Sequence, residues 1–187
     1  AGGPGILAAD ACEAQGLALP RLSERTRATL QSFLPAAAAI GNPVDMIASA
    51  SGDDYGRALA AVLDDDAVDS ALVIFIPPLV TKADDVARAV RQAAAGRPDK
   101  PVLGVFMSSQ PTPGVFAPIP SYAFPEAAAT ALARAAAYGE WLATPPEEAA
   151  PLKHSRTVNP AAFDALMKSK YALSSPSVKS LEDALRH

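Results

Sequence analysis

Two stretches of the chain are apolar without interruption: Ala71-Leu72-Val73-Ile74-Phe75-Ile76 and Val102-Leu103-Gly104-Val105-Phe106-Met107. Neither alternates apolar with polar residues, and each is bounded by proline or serine. This is the pattern of strands covered on both faces. Between them, Ala83, Val86, Ala87, Val90 and Ala94 recur at helical spacing within Thr81 to Ala95. Thr81 and Asp84 form a capping-box-like start, and Gly96 stands where the helix should stop. Strand, helix, strand predicts a βαβ unit with a right-handed crossover.

The alternation continues on both sides. Pro4 to Gln15 reads as a helix stopped by Gly16, followed by a short strand candidate, Leu17-Ala18-Leu19. Ser23 is placed to cap a helix reaching about Leu34, and another helix is predicted from Asp53 to about Leu63. A last short strand falls within Ile119 to Ala123, and Pro125 opens an alanine-rich helix ending near Leu142. The stretch from Met107 to Ala117 is short for a full helix before that strand. The pattern predicts an α/β fold with a doubly wound, flavodoxin-like or Rossmann-like parallel sheet. At Thr144-Pro145-Pro146-Glu147-Glu148 the chain turns linker-like. The expected division is residues 1–144 as the α/β domain and 145–187 as linker and helical tail. In that tail Asn159-Pro160 opens an amphipathic helix carrying Phe163, Leu166, Met167 and Tyr171, and a weaker helix begins after Ser180.

Composition mainly excludes. Half of the 187 residues are hydrophobic and the net charge is −4, so no basic footprint points to nucleic acid or an anionic membrane. No apolar run approaches the roughly 20 residues needed to span a bilayer. A single cysteine, Cys12, rules out an internal disulfide framework and fits a reducing cytoplasm; within a small-residue helical pattern it reads as buried and inert. His154 and His187 cannot build a zinc or di-metal site with that cysteine, and no metal site is expected. Asp64-Asp65-Asp66 reads as a solvated helix end, Lys168 and Lys170 as surface side chains, Tyr122 and Phe124 as core, and Trp141 as packed at a domain edge.

Candidate chemistry concentrates at Gly2-Gly3-Pro4-Gly5. Glycines before a helix let the backbone approach an anion, and the helix start offers unpaired N–H groups and the positive end of the dipole. The same residues also make an ordinary tight turn. A phosphate loop normally follows a buried strand. None precedes this one, so either the chain is a fragment whose sheet lacks its first strand, which is the expectation, or another segment fills the gap. Asn42-Pro43-Val44-Asp45 forms a polar loop, read either as a local Asn-Pro turn or as ligand contacts. Ser108 and Ser109 follow a strand's C-terminal end, the edge where such sheets bind ligands.

Gly2-Gly3-Pro4-Gly5-Ile6-Leu7-Ala8-Ala9-Asp10-Ala11, Gly16-Leu17, and Asn42-Pro43-Val44-Asp45, with the two apolar strands and Pro120-Ser121-Tyr122-Ala123-Phe124-Pro125-Glu126 in order, resemble the NDP-forming acyl-CoA synthetases. These are the ADP-forming acetate–CoA ligases, relatives of succinyl-CoA synthetase. The resemblance covers about Ala1 to Pro145 and points to the second of the family's two succinyl-CoA-ligase-like flavodoxin domains. It implies a reaction in which acyl-CoA and phosphate give an acyl phosphate, a histidine carries the phosphoryl group, and ADP receives it. It implies CoA and ATP/ADP with magnesium for the whole enzyme, none of them bound by this chain alone. The implied partners are the CoA-binding, phosphohistidine and ATP-grasp domains.

By that resemblance Gly2, Gly3, Pro4 and Gly5 point a helix N-terminus at the phosphoryl group, and Asn42 and Asp45 lie at the phosphate or acyl site. Ser108 and Ser109 are substrate-binding candidates from their place after the strand, where serines are also common loop formers. The family's histidine loop belongs to a domain absent here. His154, in Lys153-His154-Ser155-Arg156, lies outside the matched region and reads as a linker histidine. No catalytic residue is assigned, and the isolated chain is predicted to be inactive. Two rival readings stand beside this one: a non-catalytic CoA- or acyl-CoA-sensing domain of an acetyltransferase-fused relative, and an interaction domain using an open sheet edge.

Overall fold

The computed structural model describes residues 2–77 and 81–144. Helix α1 spans Gly2–Ala14, α2 Glu24–Gln31, α3 Gly52–Leu63, α4 Ala83–Ala95 and α5 Pro125–Ala143. Strands β1 (Ala71–Phe75), β2 (Val102–Phe106) and β3 (Ser121–Tyr122) form one parallel sheet in that order, and a 3-10 turn at Gly114–Phe116 stands before β3. The compact α/β unit closes at Ala143. The tail helices, His154, Lys168 and Lys170 lie outside the described residues.

The uninterrupted apolar strands follow from a sheet sandwiched by helices, as expected. Ala71, Phe75, Val102 and Phe106 face α3 and α4, burying with Leu59, Leu63, Val86, Ala87, Val90 and Phe116. Leu103 and Val105 face the other way, against Ala128 and Leu132 of α5, with Leu72 and Ile74 packed beside them. Successive strand residues point to opposite faces, so both parities must be apolar. Helices on both faces of a parallel sheet make this a flavodoxin-like α/β fold.

Small residues set the distance between layers. Gly52 and Gly56, one turn apart on α3, lie against Asp85 and Ala89 of α4; a Cβ on Gly52 would come within 2.9 Å of the Asp85 main chain. The start of α3 is fixed by a complete capping box. Ser51 accepts from the Asp54 N–H, and the Asp54 carboxylate accepts from the Ser51 N–H.

Several expected elements differ. Helix α1 begins at Gly2, not Pro4, because a first-turn proline needs no i−4 partner for its missing N–H. It stops at Gly16, which takes φ +80°. Leu17-Ala18-Leu19 forms no strand: Leu17 packs against the core beneath α5, and the carbonyl of Pro20 goes to the Asn42 side chain at 3.1 Å. Helix α2 ends at Gln31, short of Leu34, with Pro35 unable to continue the ladder. Helix α4 is capped by Lys82 without a side-chain bond. The Thr81 hydroxyl instead donates to the Ala50 carbonyl at 2.9 Å.

Side-chain expectations are corrected in the same way. Phe124 is 63% exposed and is no core residue; Trp141 is 67% exposed, stacked on Tyr138. Tyr122 packs partly against the α5 core. Asp65 is buried, not solvated: it turns inward to accept from the N–H groups of Ser23 at 2.8 Å and Ala67 at 3.1 Å. Asp64 stays outside and pairs with Arg97 at 3.0 Å.

Candidate functional site

The first turn of α1 meets the Asn42–Asp45 loop. A Cβ on Gly2 would lie 3.2 Å from Asp45 Oδ2, and one on Gly5 would lie 3.5 Å from Pro43 Cβ. Two segments about forty residues apart in sequence thus meet at one end of α1. That approach is tight only at Gly2; a Cβ on Gly5 would make ordinary van der Waals contact with Pro43. A Cβ on Gly3 would have nothing within 4 Å, so that side of the turn faces open space. Proline supplies no donor at position 4, and the first-turn amides of Gly2, Gly3 and Gly5 have no intrahelical acceptor.

Asp45 is held from its own loop. Its Oδ1 accepts from the Ile47 N–H at 2.9 Å, and its main chain bridges Ala39 in both directions at 2.9 Å. The Ile47 N–H holds its carboxyl below the usual carboxylate range against the opposing effect of burial. Ile47 takes φ +59°, a left-handed conformation that is unusual for a β-branched residue and persists only where neighbours hold it.

The other expected contacts lie elsewhere or serve the fold. Asn42 donates to Pro20, which fixes the loop against the chain leaving α1. Ser108 and Ser109 are exposed just past β2, and Ser108 Oγ accepts from the Gln110 N–H at 3.0 Å. They stand at the carboxyl edge of the sheet. No hydrogen bond or ion pair among the described residues joins them to Gly2–Gly5 or to Asp45. Cys12 is half-buried, and burial pushes its thiol up. Among the described residues no group of three or more His, Cys, Asp or Glu side chains is placed to hold a metal, and no helix is long and apolar enough to cross a membrane.

Sequence reasoning missed Tyr55. Its ring packs edge-on to Phe75, with centroids 5.7 Å apart at 80°, and its hydroxyl donates to the Ile74 carbonyl at 3.3 Å. Burial first, then the Asp45 charge, pushes its phenol up to about 12. Nothing in Gly52-Asp53-Asp54-Tyr55 announces this role, because the partner carbonyl lies nineteen residues away.

Residues 1–110 match the model of the Ligase-CoA domain. The chain belongs to the Ligase-CoA domain family. It is 45% identical over 114 residues to the alpha subunit of ADP-forming acetate–CoA ligase II from Pyrococcus furiosus, covering 58% of this chain and 24% of that protein. It is 41% identical over 76 residues to ADP-forming acetate–CoA ligase I of Archaeoglobus fulgidus, covering 41% of this chain and 11% of that one. In structure it is similar to PH0766 from Pyrococcus horikoshii OT3, with TM-score 0.64, 39% identity, and coverage of 71% of this chain and 32% of the other. It is also similar to the apo form of the dinucleotide-forming acetyl-coenzyme A synthetase 1 of Candidatus Korarchaeum cryptofilum, with TM-score 0.69, 25% identity, and coverage of 75% and 32%. The chain spans about a quarter or less of the curated relatives it matches. This Ligase-CoA domain therefore corresponds to one part of much longer proteins.

Proposed function

We propose that this Ligase-CoA domain is part of an ADP-forming acetate–CoA ligase, and that the first turn of α1 positions the phosphoryl group transferred by the whole enzyme. The observation that carries the reading is the meeting of Gly2–Gly5 with Pro43 and Asp45 at the start of α1. The open amides of that turn and the helix dipole stabilise negative charge without a dedicated cation. Asp45 shapes the turn from one side, and Gly3 leaves the other side open to an incoming oxyanion. Asn42 acts by holding the loop through Pro20. Ser108 and Ser109, at the carboxyl edge, are proposed to face the acyl or CoA side of the ligand.

CoA and ATP/ADP with magnesium belong, in this reading, to the assembled enzyme, whose CoA-binding, phosphohistidine and ATP-grasp parts are the partners of this domain in the cytoplasm. No acid, base or nucleophile is assigned among the described residues, so the chain alone should show no ADP- and phosphate-dependent acyl-CoA turnover. The test is made in the full-length parent enzyme with Gly3→Val, which fills the open side of the turn. A loss of phosphoryl transfer of roughly 100-fold or more, with the Kd for CoA unchanged, is expected. Unchanged transfer would remove α1 from the mechanism.

A further inference from the structure

The segment from Asp45 to Ser51 has no helix or strand of its own, yet it places the Asp45 carboxylate against α1. Hydrogen bonds, joined by the Ala50–Ser51 peptide link, run from it to the sheet. Asp45 Oδ1 accepts from the Ile47 N–H, and the Ile47 carbonyl accepts from the Ala50 N–H at 3.4 Å. The Ser51 carbonyl accepts from the Tyr55 N–H at 3.2 Å, and the Tyr55 hydroxyl donates to Ile74. The last link is the only one of these made by a side chain reaching a different element.

Its target is open for a structural reason. The Ala71 N–H and the Phe75 carbonyl are used toward β2, so the main-chain groups of Leu72 and Ile74 turn to the opposite edge of β1. Tyr55 reaches over that edge to the Ile74 carbonyl, and its ring is wedged against Phe75. The strained link in the chain is Ile47, whose left-handed conformation must be over-determined by its surroundings.

We propose that Tyr55 is a positioning residue of the candidate site: its bond to Ile74 holds the Asp45–Ser51 segment in the strained form that sets the Asp45 carboxylate against the first turn of α1. The proposal deepens the phosphoryl-positioning reading and rests on it for its meaning. Its test needs no ligand, so the two fail separately.

The experiment is NMR and amide exchange on this chain with Tyr55→Phe, which keeps the ring and removes the hydroxyl. The expected result is loss of the Asp45–Gly2 proximity signal and roughly tenfold or more faster exchange at the Ile47 N–H. Protection in β2 stays unchanged, and Tm falls by about 3 °C. The double variant Tyr55→Phe with Ile47→Gly should recover the Asp45–Gly2 signal, since glycine adopts positive φ without strain. A merely structural tyrosine would not be rescued by a change at Ile47. Retention of the Asp45–Gly2 signal in Tyr55→Phe, or failure of the double variant to restore it, overturns the proposal. If Tyr55→Phe does not fold, 4-fluorophenylalanine at position 55 fills the hydroxyl's space without a donor, with the same expected loss at Ile47 and the same overturning outcome.

Discussion

The Phe116 ring fills the space above Gly104: a Cβ at Gly104 would come within 2.4 Å of Phe116 Cζ. Gly104 lies in the middle of β2, whose five residues are all buried, and Phe116 also packs edge-on to Phe106 at 4.9 Å. The glycine inside an apolar strand is thus the socket for the turn that precedes β3. Gly104→Ala is expected to cost about 1–3 kcal/mol through forced displacement of the ring, read as a lower denaturation midpoint with unchanged m-value. Gly104→Ala combined with Phe116→Leu should recover part of that loss.

Glycines on the helices separate by what they touch. Gly52→Ala drives a methyl into the Asp85 main chain, which cannot move without parting α3 from α4, and should cost about 1–3 kcal/mol. Gly3→Ala meets nothing and should stabilise the chain by about 0.5 kcal/mol through helix propensity. Thermal unfolding of the two variants side by side tests the contrast; equal effects would contradict it.

Asp65 ties the start of α2 to the end of α3. The Thr26 hydroxyl and then the Ser23 N–H hold its carboxyl far below the usual range. A depressed folded pKa means stability that is fully present above the unfolded value, about 3.9, and that is lost as pH falls below it toward the folded pKa. Asp65→Asn should therefore cost about 1.5–3 kcal/mol at pH 7, where a charged acceptor is lost. The gap from the parent chain should narrow below about pH 4. Urea melts at pH 7 and pH 3 measure both values.

Tyr55 gives an alkaline signature. Its phenol is pushed up to about 12, chiefly by burial and secondly by Asp45. An unfolded tyrosine ionises near 10, so the unfolded state loses its proton first and stability falls as pH rises from about 10 toward 12. Absorbance titration should show a late-ionising component from Tyr55, and Tyr55→Phe should remove that component. Asp45→Asn should shift it downward, because one of its two causes is gone.

The βαβ unit was legible because its signals are local. Ala71–Phe75 and Val102–Phe106 are too apolar to face water on either side, and α4 between them repeats apolar residues at helical spacing. Pro125 and Ser23 marked helix starts in the same way, because a cap or a first-turn proline acts on neighbouring residues. Gly2–Gly5 and Asn42–Asp45 could be picked out as two candidates, and their residue types suggested an anion.

The meeting of those two candidates depends on how α1 and the loop pack, and no short-range pattern sets Asp45 Oδ2 3.2 Å from where a Gly2 Cβ would stand. The same holds for the direction of Asp65, for the partner of Thr81 and for Tyr55 on Ile74. A hydroxyl or carboxylate satisfies its hydrogen bonds with whatever donor or acceptor the fold brings near, often far along the chain. Hydrophobic periodicity acts through neighbours in sequence, so the sequence by itself determined β1, β2 and the helices, though not the fate of Leu17-Ala18-Leu19. Polar pairing acts through neighbours in space, so only the tertiary structure decided which of the polar residues meet.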